Sequence, residues 1–300
     1  MSTFWWVLSG LWVMAGLLAA LYWRALARAR WSWLGVWLLG GVGLAAGSFQ
    51  REESMGSTEY WCLPAEVKNL ELEVGRGKVW VVEATQYWYE RVYFLDAGPH
   101  GYRLPAECNL GAAFYQVKGN SKPSFTLEEG VLRVASQAVP RSDLNLALVL
   151  PAGAGLENLR AWLGEGDLGL IGLAQQNQIE VARGRLEVWP PDQVTSQVAA
   201  RIGSGNLDLD SNYAGEIQVE AGYLRAYLGI KGGYGRIQAQ TGDITILSSS
   251  SENTRYRSSR AISTDRGDPA PRRVGDYYEL GPEGAPVMTI ELERGSVRAY

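Results

Sequence analysis

The sequence predicts an all-β chain, a β-solenoid of glycine-cornered strand pairs preceded by two transmembrane α-helices. Three observations carry this expectation. Two long uncharged apolar runs stand near the N-terminus, apolar and polar residues alternate from residue 63 onward, and glycines punctuate that alternation at nearly regular intervals. Strict alternation is the signature of half-buried strands, whereas a helix face repeats every 3.6 residues.

The first element is the run 4–23, FWWVLSGLWVMAGLLAALYW, without a charge. Twenty residues at about 1.5 Å rise cover about 30 Å, the hydrocarbon thickness of a bilayer. The second is 31–49, WSWLGVWLLGGVGLAAGSF, also uncharged. Trp5, Trp6, Tyr22, Trp23, Trp31 and Trp33 sit near the run ends, where interfacial aromatics collect. No Lys or Arg precedes the first run, which argues against a secretory signal peptide. The connecting loop carries Arg24, Arg28 and Arg30, so it is expected to stay cytoplasmic and to leave everything after Phe49 outside. The net charge is -4; taking these three arginines out leaves residues 50–300 at -7, an acidic outer part. The expected organisation is a hairpin over 1–50, a linker over 51–65 and an extracytoplasmic domain over 66–300.

The repeat follows. Leu159-x-Ala161-x-Leu163 leads to Gly166 and Leu168-x-Leu170. The same grammar recurs around Gly184, Gly205, Gly222 and Gly242, at spacings of 18, 21, 17 and 20 residues. It appears again around Gly77 and Gly295, and in weaker form through Phe125, Leu127, Gly130, Leu132 and Val134. Each unit reads as strand, sharp corner, strand, with glycine at the corner because it tolerates positive φ. One unit cannot bury its apolar stripe alone, and stacking the units builds a continuous core. On this reading Gly205 and Gly242 sit at positive φ. The stretch 248–273, rich in Ser, Arg, Pro and Asp, interrupts the repeat and is expected to form a flexible polar loop.

The run Leu146-x-Leu148-x-Leu150-Pro151-Ala152-Gly153, followed by corners such as Gly203-Ser204-Gly205-Asn206-Leu207 and Thr241-Gly242-Asp243-Ile244, resembles the bacterial putative-adhesin β-solenoid family, grouped with toastrack-type domains of envelope-stress proteins. The resemblance covers roughly residues 66–300. It implies a β-helical extracytoplasmic module, often tethered by transmembrane helices, and transfers no active-site residues.

Candidate chemistry is sparse. Cys62 and Cys108, both outside the membrane under this topology, are expected to pair in an oxidising compartment. Asp167, Asn206 and Asp243 follow corner glycines, where turn chemistry accounts for them better than a calcium site does. His100 is the single histidine and lies in a loop-like context, which removes His-built metal sites and a Ser-His-Asp triad. Glu187, Asp208, Asp210 and Glu220 fall at outward strand positions and read as a solvated face. Two candidate binding surfaces stand out: the outward Tyr87, Tyr89, Arg91 and Tyr93, and the basic Arg255, Arg257 and Arg260 of the polar stretch.

The expected function is a non-catalytic scaffold, adhesion or envelope-stress sensing module acting by surface recognition at the bacterial cell membrane. No cofactor and no nucleic-acid partner is expected; the acidic balance opposes the latter. The candidate partners are the bilayer, other envelope or membrane signalling proteins, and a glycan or anionic lipid. The alternative is a glycan-binding or polysaccharide-active β-solenoid enzyme, by fold-level analogy.

Overall fold

A computed structural model describes residues 57–83, 107–119, 122–136, 143–151, 153–171, 174–189, 196–209, 214–247, 251–265 and 270–300. The chain divides into two units, Met1–Ser54 and Met55–Tyr300, and the described residues belong to the second. The expected spans 4–23 and 31–49 lie outside the described residues. Among the described residues no helix is long and apolar enough to cross a membrane.

The described part is all-β. Its strands are β1 (Glu59–Cys62), β2 (Asn69–Glu83), β3 (Ala112–Lys118), β4 (Ser124–Glu128), β5 (Val131–Ser136), β6 (Asp143–Leu150), β7 (Asn158–Leu170), β8 (Gln176–Val188), β9 (Gln197–Leu209), β10 (Glu216–Leu228), β11 (Tyr234–Ile246), β12 (Arg255–Ser258), β13 (Ile262–Thr264), β14 (Arg272–Val274), β15 (Tyr277–Leu280) and β16 (Val287–Ala299). They join into one sheet. Its centre is a parallel series, β2-β7-β8-β9-β10-β11-β16, in which each long strand pairs with the next at equivalent positions.

Each long strand changes parity once. In β7 the buried side chains are Leu159, Ala161 and Leu163, then Leu168 and Leu170. The step from 163 to 168 is odd, so the alternation is reset at the corner and both halves can point to the same side. The same five-residue step separates Val74 from Val79, Val181 from Leu186, Ile202 from Leu207, Ala239 from Ile244, and Leu292 from Val297. We call the half before the corner the first limb and the half after it the second. Inward residues of both limbs belong to one hydrophobic core. Burying each Val, Leu or Ile there stabilises by about 1.5–3 kcal/mol before chain entropy is counted.

The corners stack as well. Gly77, Gly166, Gly184, Gly205, Leu224, Gly242 and Gly295 occupy one register column. A Cβ at Gly166 would stand 1.7 Å from the carbonyl oxygen of Gly77, and one at Gly184 1.7 Å from that of Gly166. Both glycines also have positive φ, +135° and +143°. Two expectations are corrected here. Gly205 and Gly242 lie outside the left-handed φ region; they are glycine because a Cβ would meet the Gly184 oxygen at 1.7 Å and the Leu224 oxygen at 2.1 Å. Gly222 is not in the column, and the buried Leu224 takes the place there. The weak unit around Gly130 is also different in kind. It is an antiparallel hairpin of β4 and β5, with Glu129 and Gly130 both at positive φ, as a tight I′ turn requires.

The two ends of the series are closed by shorter strands. β5 and β6 pair with the first and second limbs of β2, as one long strand split in two. β3 then runs antiparallel on β6, and β1 on β3. Trp61 stacks on Phe125 at 5.1 Å between centroids, with Tyr115 tilted against the same ring at 5.4 Å. Cys62 and Cys108 form a disulfide, with Cα atoms 4.9 Å apart. It sits beside a second small core, on the other face of the second limb, built from Trp80, Val82, Ala112, Phe114, Ala147, Val149 and Ile171. Closing a loop of 46 residues stabilises by about 4 kcal/mol in the chain-entropy model.

At the opposite end, β12 and β13 pair with the two limbs of β16, and β15 and β14 add antiparallel. The flexible loop expected over 248–273 is therefore corrected for its described residues. Tyr256 and Ser258 are 0% exposed and Ile262 4%. The expectation failed because it looked for adjacent apolar residues. The inward positions here are alternate ones, Thr254, Tyr256 and Ser258, and the Thr254 hydroxyl accepts the Gly232 N–H at 2.8 Å.

The corner column yields a direct expectation. Gly184→Ala forces a methyl group onto a carbonyl oxygen that neighbouring strands hold in place. It is expected to cost at least about 2 kcal/mol in denaturant melts. The exposed Gly284, whose Cβ would meet nothing within 4 Å, supplies the comparison for φ strain alone, at about 1 kcal/mol. Equal costs at the two sites would contradict the close-approach account.

Candidate binding faces of the sheet

Side chains that do not enter the core form rows on the outer faces of the two limbs, because parallel pairing places equivalent positions side by side. On the first limb, the row nearest the corner runs Glu73, Trp162, Glu180, Arg201, Glu220 and Gln238. The next row runs Glu71, Arg160, Gln178, Ala199, Gln218 and Arg236. Their members on β2, β7, β8, β9 and β10 line an open groove of about 890 Å³. Ala199 leaves its floor low between longer neighbours.

Trp162 is the outlier of this face. It is 40% exposed, a large aromatic among charges and amides. The tip of its indole, Cη2, lies 3.3 Å from where a Cβ at Gly164 would stand. The ring thus leans along its own strand over a residue without a side chain. Trp80 on the second limb lies instead across the neighbouring strand, where a Cβ at Gly169 of β7 would come within 2.3 Å of its ring. Trp80, however, is buried in the small core. Around the groove, Arg201 pairs with Glu220 at 3.3 Å, both about 70% exposed, and Arg133 pairs with Glu71 at 2.7 Å. Exposed pairs of this kind contribute at most about 1 kcal/mol and leave the side chains free to rearrange.

The second limb carries a different cluster. Arg185 donates to Glu187 at 2.9 Å and lies 3.5 Å from Asp208. The carboxylate side chains are 12% and 19% exposed, so the solvated face expected for Glu187 and Asp208 is corrected. Burial raises both carboxyls above their ordinary range, against the attraction of Arg185. At the N-terminal end, the Tyr115 hydroxyl donates to Glu59 at 2.8 Å, and its pKa is pushed up to about 12 by burial and that carboxylate.

The sites expected from sequence fare differently. Tyr87, Tyr89, Arg91, Tyr93 and His100 lie outside the described residues. Arg257 stacks over the Tyr277 ring at 4.1 Å and lies 3.9 Å from Glu279. The Arg260 Nε donates to the Leu292 carbonyl at 3.0 Å. The Arg255 Nε is buried. Arg255 and Arg257 belong to β12, and Arg260 lies in the short bend between β12 and β13. Asp167, Asn206 and Asp243 share a register column beside the corner with Lys78, Arg185, Arg225 and Ser296. Among the described residues, no group of three metal-ligating side chains converges. Trp162 went unnoticed in the sequence, although the unit Leu159-x-Ala161-x-Leu163 already assigns it to the outer face.

No protein-family profile and no curated protein matches the chain. Among solved structures, a putative cell adhesion protein from Clostridium sporogenes is similar at a TM-score of 0.32 and 11% identity, covering 82% of this chain and 99% of that one. A putative adhesin from Bacteroides fragilis aligns at 0.31 and 8% identity, covering 83% of this chain and 98% of the other. A putative lipid binding protein from Parabacteroides distasonis aligns at 0.22 and 10%, covering 82% and 97%. Likeness of this degree assigns neither a family nor a function.

The Arg185 cluster has a pH signature. A carboxyl with a raised folded pKa binds a proton more readily in the folded state. Its ionisation therefore costs stability as pH rises from the unfolded value, about 4.3 for Glu, through the folded one. Glu187→Gln should melt higher than wild type at pH 7, and the gap should shrink as pH falls towards 4. A lower melting temperature for the variant at pH 7 would show that the Arg185 attraction outweighs burial.

Proposed function

We propose that the chain is a membrane-anchored, extracytoplasmic surface-recognition module of a bacterial envelope, non-catalytic and built as a β-solenoid. The observation that carries this reading is the first-limb groove. It is open, crosses five consecutive strands, and presents rows of side chains fixed by backbone register. Such a surface recognises by complementarity along its length.

Catalysis on polysaccharide is the less favoured alternative. It calls for a pair of carboxyls facing each other across the substrate, one with a raised pKa. Among the described residues, the two carboxyls raised by burial, Glu187 and Asp208, stand on the second limb and share Arg185. The groove is on the first. Anchoring rests on the uncharged runs 4–23 and 31–49 and on the three arginines between them. The bilayer is then the first partner. Any signal passed to another membrane protein would run through those runs.

A reporter active only after export, fused behind Tyr300, should be active in the full-length chain and inactive when the runs 4–23 and 31–49 are deleted. Activity of a cytoplasm-specific reporter at the same position would overturn the topology.

A further inference from the structure

We propose that the first-limb groove is a binding site for a neutral oligosaccharide, with Trp162 as the platform on which one sugar ring stacks. The inference rests on the reading of this groove as the recognition surface and names its ligand class.

Three features of the groove select that chemistry. First, its floor belongs to strands whose backbone is already paired on both sides, from β2 to β10. A peptide cannot add to it as a strand, so recognition falls to side chains alone. Second, the side chains combine one exposed indole with carboxylates, amides and arginines. Carboxylates and amide oxygens accept from hydroxyls; amide N–H and guanidinium groups donate to them. A ring with apolar C–H faces and a polar rim matches both. Trp162 leans over Gly164, and its neighbours Glu73 and Glu180 flank it at equivalent positions on β2 and β8. Third, the groove holds Glu71, Glu73, Glu180 and Glu220 against Arg160 and Arg201, with Arg133 at its rim paired to Glu71, which leaves an excess of one negative charge. That excess of negative charge repels anionic polymers, including nucleic acid, and lipid phosphate.

The dimensions agree with a linear ligand. From β2 to β10 there are four strand spacings, about 19 Å at about 4.8 Å each. A few linked sugar rings fill that length. Ala199, on the fourth of the five strands, leaves room for a ring there.

The test uses the full-length chain in a detergent without a sugar headgroup. The probes are the hexaoses of glucose and of N-acetylglucosamine, with polygalacturonate as the anionic comparison, all followed by calorimetry. At least one neutral hexaose should bind, and polygalacturonate should not compete. Trp162→Ala should weaken that binding at least tenfold, while Trp162→Phe, which keeps an aromatic face, should stay within threefold of wild type. Both variants should melt with wild type, because the side chain is outside the core. Absence of binding by both hexaoses, or binding unaffected by Trp162→Ala, overturns the proposal. An exported topology alongside either result leaves the recognition module standing and removes only this ligand.

Discussion

The structure depends on one close approach. At each corner of the central series except that of β10, the backbone of one strand passes so near the next that the carbonyl oxygen of the first occupies the place of a Cβ in the second. A Cβ at Gly166, Gly184, Gly205 or Gly295 would stand only 1.7 Å from such an oxygen. The corner resets the side-chain alternation, and stacked corners keep every strand resetting at the same level. Without a common level, the inward rows of one limb would slip against their neighbours by a residue and turn the core face outward. Leu224 marks the one place where the column admits a side chain. That strand keeps glycine only two residues earlier, at Gly222, level with Gly75, Gly164 and Gly203, where a Cβ would meet the Gly203 oxygen at 2.6 Å.

Register then fixes what the outside presents. Parallel strands in equivalent alignment turn each outward position into a row, so a groove is the sum of single residues on consecutive strands. The chain order adds a closing device. The first long strand, β2, lies between β7 and the strands β5 and β6, and the last, β16, between β11 and the strands β12 and β13. Each end of the parallel series is thus covered by chain that returns to it. Antiparallel strands continue outward from there, ending at the short β1 and β14. Short edges of this kind limit unwanted pairing with other chains.

Much of this was legible in the residues. The all-β class, the paired cysteines and the spacing of units follow from alternation, the presence of two cysteines and the glycine period. The parity step is visible in Leu159-x-Ala161-x-Leu163 followed by Leu168-x-Leu170. Two kinds of information were not. Which glycines serve close approach rather than positive φ depends on the neighbouring strand, and no single strand's sequence contains that neighbour. The polar coil at 255–264 was misread because its inward residues, Tyr256 and Ser258, are not aliphatic; pairing with β16 makes them core. Glu187 and Asp208 were misread for the complementary reason: outward parity does not guarantee exposure. Trp162 was written in the pattern from the start, since a large aromatic on an outward position of a polar row has no packing explanation.

In this account, function follows from the rows and the rows follow from stacking in register. Distances between spin labels along one row test that most directly. Cysteines for labelling at Glu180 and Glu291 lie four strand steps apart in the row, and at Glu73 and Glu291 six. Pulsed electron resonance should give backbone separations of about 19 Å and about 29 Å, one strand spacing per step. The second pair should thus exceed the first by about 10 Å. Equal distances for the two pairs, or a longer distance for the first, would contradict the stack.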